Sequence, residues 1–181
     1  PDLAAVKDEL HALTERLKAA RDYAEAREAF LAHEAAYIHM ETQATLASVR
    51  HTIDTRDEFY DAEETFWNAA TPELDAYEDA WKGTMLESPF RKEFAAEYGD
   101  LMFVNAEIAR KAFSPEIIPE SQQENDLSQA YSKLIASAQI PFEGGVYTIS
   151  QLSPFKNDPD DARRLAAWQA EGAWYKEHQA E

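Results

Sequence analysis

Leu3, Val6, Leu10, Leu13 and Leu17 recur at alternating steps of three and four, while the intervening positions are rich in Asp, Glu, Lys and Arg. This is one apolar stripe of an amphipathic helix. No Gly or Pro occurs between Asp2 and Pro72, so polar clusters must mark the breaks. The first falls near Lys18 to Tyr23. Tyr23 to His51 reads as a second helix, rich in Ala and Glu, with Phe30, Tyr37, Leu46 and Val49 as its larger anchors. Thr52 to Arg56 is the next break, with Asp54 or Thr55 as cap and Glu58 in capping-box register to Thr55. Phe59, Tyr60, Phe66 and Trp67 belong to the following helix. Thr71-Pro72 reads as a fresh helix start, with Leu74, Tyr77 and Trp81 on one face, and Gly83 and Ser88-Pro89 interrupt the pattern again.

Phe90 to Tyr98 predicts a short helix. Leu101 to Phe113 has apolar residues on more than one side and predicts a buried one. After the breaks at Ser114-Pro115 and Ile118-Pro119, Glu120 to Ala138 places Leu127, Tyr131, Leu134 and Ile135 at core spacing. Asp158-Pro159-Asp160-Asp161 opens the last helix, with Asp158 as cap and Pro159 in the first turn. Between these helices, Gln139 to Thr148 is different: Ile140, Pro141 and Phe142, a turn at Glu143-Gly144-Gly145, then Val146, Tyr147 and Thr148. That predicts a β-hairpin, with Thr148 and Gln151 in capping-box register beyond it. The fold class is therefore all-α, a bundle of about seven or eight helices with one short β-hairpin near residues 139–148. The expected organisation is one helical domain, 1–181, with subdomains 1–113 and 114–181.

Composition narrows the function. Among 181 residues, 17 Lys and Arg face 35 Asp and Glu, a formal net charge of -18. That balance argues against nucleic acid and against anionic membranes. The absence of cysteine removes disulfides, thiolate metal sites and thiol catalysis. No apolar run is long enough for a membrane span. A cytoplasmic location is the expectation.

Local chemistry is sparse. His33-Glu34 opens like a zinc-peptidase helix, but position five is Tyr37 rather than a second His. The Glu-x-x-His order of di-iron bundles is absent. Glu63-Glu64, the group Asp57, Glu58 and Asp61, and the group Asp158, Asp160 and Asp161 are clusters that so acidic a chain produces by chance. The Gly-Gly pair lacks the spacing and the lysine of a phosphate loop. No catalytic residue and no metal ligand is assigned.

The segment Leu127 to Phe155 carries a longer pattern at Leu127, Tyr131, Lys133, Leu134, Ser137, Ala138, Gln139, Ile140, Phe142, Gly144, Tyr147, Thr148, Ser150, Gln151, Leu152 and Pro154. It resembles the region that precedes the catalytic domain in the oligoendopeptidase F type of M3 zinc metallopeptidases. Asp158 to Tyr175 resembles the helix that follows it, and Tyr37 to Glu63 resembles the early helices of that family more loosely. The resemblance implies a hydrolase in which helices of this kind form a lid over a cleft that admits short peptides. It places the zinc on a His-Glu-x-x-His helix and a downstream Glu, none of which this sequence contains. The expectation is a non-catalytic N-terminal domain of a longer peptidase, with no cofactor of its own and zinc in the full-length protein. The partners implied are a C-terminal catalytic domain and short peptides. Phe142, Tyr147, Trp168, Trp174 and Tyr175 are the expected interface to that domain, and a homodimer of the isolated chain through them is left open. The alternative reading is a free-standing helical module that binds peptides or a protein partner without catalysis.

Overall fold

The computed structural model describes residues 2–180, which divide after Asp126 into two compact units. Among the described residues there are eight α-helices and one two-stranded antiparallel hairpin, the all-α class with a hairpin that the sequence predicts.

In the first unit, α1 (Leu3–Lys18), α2 (Tyr23–Ile53) and α3 (Glu58–Glu87) pack against one another. Aspartates open all three. The Asp2 carboxylate accepts from the N–H groups of Ala4 and Ala5, Asp22 from Glu25, and Asp57 from Phe59 and Tyr60. A carboxylate there satisfies N–H groups that the helix cannot pair and meets the positive end of its dipole. Part of the chain's acidity is thus spent on starting helices. The α3 cap is Asp57, not Asp54 or Thr55; Asp54 instead accepts from the Arg56 N–H in the preceding turn.

The helix start expected at Thr71-Pro72 does not occur, nor does the break at Gly83: α3 runs through both as a single helix of 30 residues. Pro72 has no N–H to offer the Asn68 carbonyl, four residues back, and its ring disturbs the adjoining turn. Two side-chain amides from α6 (Ile118–Ala136) make up the loss. Asn125 Nδ2 donates to the Asn68 carbonyl at 3.0 Å, and Gln122 Nε2 donates to the Ala69 carbonyl at 2.7 Å. Asn125→Ala should lower the unfolding free energy by about 1–2 kcal/mol, measurable by urea titration; an unchanged midpoint would show that Pro72 needs no such support.

Two hydrophobic clusters fill this unit. One gathers Leu10, Met40, Ala47, Trp67, Ala70 and Leu74. The other gathers Leu17, Ala26, Ala29, Phe30, Trp81, Met85, Phe94 and Phe103, and so draws in α4 (Arg91–Tyr98) and α5 (Leu101–Ala112). The α5 helix is not buried all round, as its composition predicts. Phe103 is its buried anchor, while Leu101, Val104 and Ile108 lie exposed. On α2, Ala26, Ala29, Phe30, His33, Met40, Ala47 and His51 are buried. Ile38, Val49 and Ile53, on the opposite side by helical spacing, are exposed.

The second unit centres on Ala138, Ile140, Phe142, Leu152, Ala167 and Trp174. β1 (Ile140–Phe142) pairs with β2 (Gly145–Tyr147), with Ile140 opposite Tyr147 and Phe142 opposite Gly145. Both turn residues have positive φ, 47° at Glu143 and 81° at Gly144. That backbone suits a two-residue hairpin turn and is natural only for the glycine. Glu143 is held there from α8 (Asp161–Glu177), whose Arg163 donates from Nε and a terminal nitrogen to its carboxylate at 2.9 and 2.7 Å. Gly144→Ala should destabilise this unit by about 1 kcal/mol through its positive φ, read as an earlier loss of hairpin amide protection in hydrogen exchange; unchanged protection would contradict it.

The capping box after the hairpin is present. Gln151 N–H donates to Thr148 Oγ1 at 3.2 Å, and Thr148 N–H donates to Gln151 Oε1 at 3.0 Å, opening α7 (Ile149–Leu152). The cap of α8 is Asp160 rather than Asp158, since its Oδ1 receives the Ala162 and Arg163 N–H groups. Asp158 instead accepts from Arg163 at 2.8 Å. The core spacing expected of Leu127 and Tyr131 on α6 also fails: both are exposed, and only Leu134 and Ile135, farther along the helix, pack on this core.

Candidate functional site

Most members of the acidic clusters make structural contacts. Asp57 and Asp160 are caps. Glu63 accepts from Arg50 at 2.9 and 3.0 Å. Asp61 lies 3.4 Å from Nε2 of the buried His51. Asp161 pairs with Arg164.

Chemistry that these roles leave unexplained is concentrated in the first unit, in a cavity of about 310 Å³ lined by α2, α3 and α5. Aromatic and sulfur-bearing side chains, Phe30, Tyr37, Trp81, Met85, Met102 and Phe103, form much of its apolar wall. His33, Glu34, Glu78, Lys82 and Asn105 bring polar groups to it. His33 is 2 % exposed and lies flat on Trp81, with ring centroids 3.8 Å apart and planes within 2°. Its Nε2 is 3.1 Å from Glu78 Oε1, and its Nδ1 is 3.8 Å from Glu34 Oε1. These are ion-pair contacts without hydrogen-bond alignment: both ring nitrogens and Glu78 Oε1 are buried and lack an aligned partner.

The electrostatics follow from this placement. Burial works against protonation of His33, but Glu34 and Glu78 outweigh it and hold the imidazole above its usual range. Tyr37 is pushed up to about 12, first by burial and then by Glu41 and Glu78. Burial also raises Asp75.

The residues do not fit a catalytic zinc. The two ring nitrogens of His33 sit against different carboxylates, Glu78 and Glu34, so no common point is shared by three donors as a tetrahedral ion requires. Among the described residues no group of three or more His, Asp or Glu is placed to hold a metal.

The five side chains expected to face a further domain are placed differently. Phe142 and Trp174 are buried in the core of the second unit. Tyr147 is half-buried, its ring 5.1 Å from that of Phe155. Trp168 and Tyr175 are exposed on α8, and the Lys156 ammonium sits 4.7 Å above the Trp168 ring. Among the described residues no helix is long and apolar enough to cross a membrane.

The sequence reading reached His33 but missed Glu78. The two lie on separate helices, and no spacing rule joins them. The available signal was the Glu78-x-x-Trp81 step, which places an acid and an aromatic on one face of α3.

Residues 1–113 match the family model of the peptidase M3 N-terminal domain. The chain belongs to the peptidase M3 family. Solved structures agree over both units. A protein assigned as an oligoendopeptidase F matches at 34% identity and a TM-score of 0.95, covering 99% of this chain and 32% of that one. PZ peptidase A, determined with an inhibitor, matches at 33% identity and the same TM-score, again over 99% of this chain and 32% of that one. A Bacillus anthracis protein assigned as an oligoendopeptidase F matches at 31% identity and 0.95, over 99% of this chain and 33% of the other. No match was found among curated proteins. This M3 chain therefore spans about one third of the length of the solved relatives it resembles.

Proposed function

We propose that the chain is the non-catalytic, substrate-access portion of a zinc-dependent oligoendopeptidase whose intact form hydrolyses short peptides in the cytoplasm. The observation that carries this reading is the pairing of near-complete coverage of this chain with one-third coverage of relatives assigned as oligoendopeptidases. The donor set around His33 does not fit zinc, so the metal and its activated water are assigned to the remaining polypeptide. No step of the hydrolysis is assigned to residues of this chain.

The remaining polypeptide also accounts for the exposed apolar side chains. Trp168 and Tyr175 on α8, Leu101, Val104 and Ile108 on α5, and Ile38, Val49 and Ile53 on α2 stand in water here. A domain of a larger enzyme shows such surfaces when its neighbour is absent. In this reading Phe142 and Trp174 act from behind, by fixing the hairpin and α8 that present the outer residues. The full-length protein should cleave a quenched short peptide, lose that activity to a chelator and regain it with zinc. A full-length protein with no peptidase activity after zinc loading would overturn the assignment.

A further inference from the structure

We propose that two copies of the 181-residue chain pair antiparallel along the outer face of α2. In the peptidase reading the remaining polypeptide covers this face; the pairing concerns the 181-residue chain by itself and does not depend on that reading. Thr42 stands at the middle of an apolar stripe. Ile38 and Leu46 lie four residues to either side of it, Ala35 and Val49 seven, and Leu31 and Ile53 eleven. Those steps average close to the helical 3.6, so the stripe runs straight along α2 for about 33 Å. Every residue of the stripe is exposed. The stripe lies on the side of the helix away from the buried Ala26, Ala29, His33, Met40 and Ala47, and so faces outward from the first unit.

The chemistry of this face suits a protein interface. The chain holds 35 acids in 181 residues, yet between Ala35 and Ile53 the only one is Glu41. Depletion of charge around exposed apolar residues is characteristic of the middle of an interface. The hydroxyl at the centre of the stripe is already satisfied. Thr42 Oγ1 donates to the Ile38 carbonyl at 2.7 Å, so Thr42 can be covered without stranding a polar atom.

The occupant follows from the symmetry. A two-fold pair needs one patch that complements itself. With the axis at Thr42, Ile38 of one copy meets Leu46 of the other, Ala35 meets Val49, and Leu31 meets Ile53, each contact occurring twice. The small Ala35 receives the branched Val49, and Thr42 meets its own copy, so the two helices approach closely. Like charge approaches like only at Glu41, beside the stripe. An anionic membrane would be repelled by a net charge of -18, and a partner of different sequence has no need of a stripe that reads alike in both directions.

Sedimentation equilibrium of the 181-residue chain between about 10 μM and about 1 mM tests the pairing. The expected result is a monomer–dimer equilibrium with Kd on the order of 100 μM, because one helix face a copy makes a small interface. Moderate salt should tighten it by screening the repulsion between two acidic chains. Ile38→Glu, which changes only an exposed side chain, should abolish the dimer, while Trp168→Glu on α8 should leave it intact. The chain has no cysteine, so a single introduced thiol locates the axis. With packed helices about 8–10 Å apart, the two facing Cα atoms at position 42 come within disulfide reach. Thr42→Cys should therefore oxidise to a covalent dimer at least about tenfold faster than Ser48→Cys, an exposed control off the stripe. A monomer throughout, a dimer weakened by salt, a dimer that persists in Ile38→Glu or is lost in Trp168→Glu, or equal oxidation of the two thiols would each overturn the pairing.

Discussion

Phe94→Ala is expected to lower the unfolding free energy of the first unit by about 4 kcal/mol. Phe94 is fully buried. Its ring meets Tyr23 at 5.1 Å and Phe30 at 5.4 Å, both edge-on. It sits on α4, a helix of eight residues without a side-chain cap, too short to persist by its own backbone bonds. Truncation therefore removes a large apolar transfer term, leaves a cavity among rings that cannot close it, and releases α4 from α2. Urea unfolding followed by far-UV circular dichroism gives the value. A loss below about 1 kcal/mol would mean that this cluster collapses freely around the gap, contrary to the interdigitated aromatic packing.

The second large effect belongs to the His33–Glu78 pair. Glu78→Ala should cost about 3 kcal/mol at about pH 6, because it leaves an imidazolium buried beside Trp81 with only the more exposed Glu34 near it. The pH dependence has a definite sign. The folded-state pKa of His33 is raised, so the native state holds this proton more tightly than the unfolded chain does. The resulting stability is fully present below the unfolded value of about 6.5 and is lost as pH rises through the higher folded value. The difference between wild type and Glu78→Ala should accordingly be larger at about pH 6 than at about pH 9. A difference that grows with pH would show that the pair is held as neutral imidazole and carboxylate throughout.

What the sequence disclosed was mostly local. The leucine stripe of α1, the hairpin and the Thr148–Gln151 capping box all depend on residues a few positions apart, and each appears where its spacing predicts. Pro72 misled for the opposite reason. A proline after a threonine resembles a helix start unless the carbonyls it frees are bonded elsewhere, and here the donors, Gln122 and Asn125, come from another helix. The last helix shows how a run of aspartates defeats precise placement: Asp158 and Asp160 both suit a cap, and the choice depends on Arg163 drawing Asp158 away.

The apolar surfaces carry the other lesson. Leu101 to Phe113 looks buried because its apolar residues surround the helix. Yet one side packs through Phe103 and the other stands exposed. On α2 two apolar faces lie opposite each other over 31 residues, so no single stripe emerges. Composition reports that a surface wants to be covered, not whether the cover lies within these residues. The family pattern around Leu127 to Phe155 was legible where the chemistry was not, because it records architecture shared with relatives three times as long.

We propose that this chain contributes architecture and access while the hydrolysis resides in the rest of the polypeptide. The decisive measurement supplies one equivalent of zinc to the purified 181-residue chain, beside the full-length protein, with a quenched short peptide as substrate. Cleavage by the full-length protein alone is expected, with no rate above the blank for the 181-residue chain. Zinc-dependent cleavage by the isolated chain would contradict it.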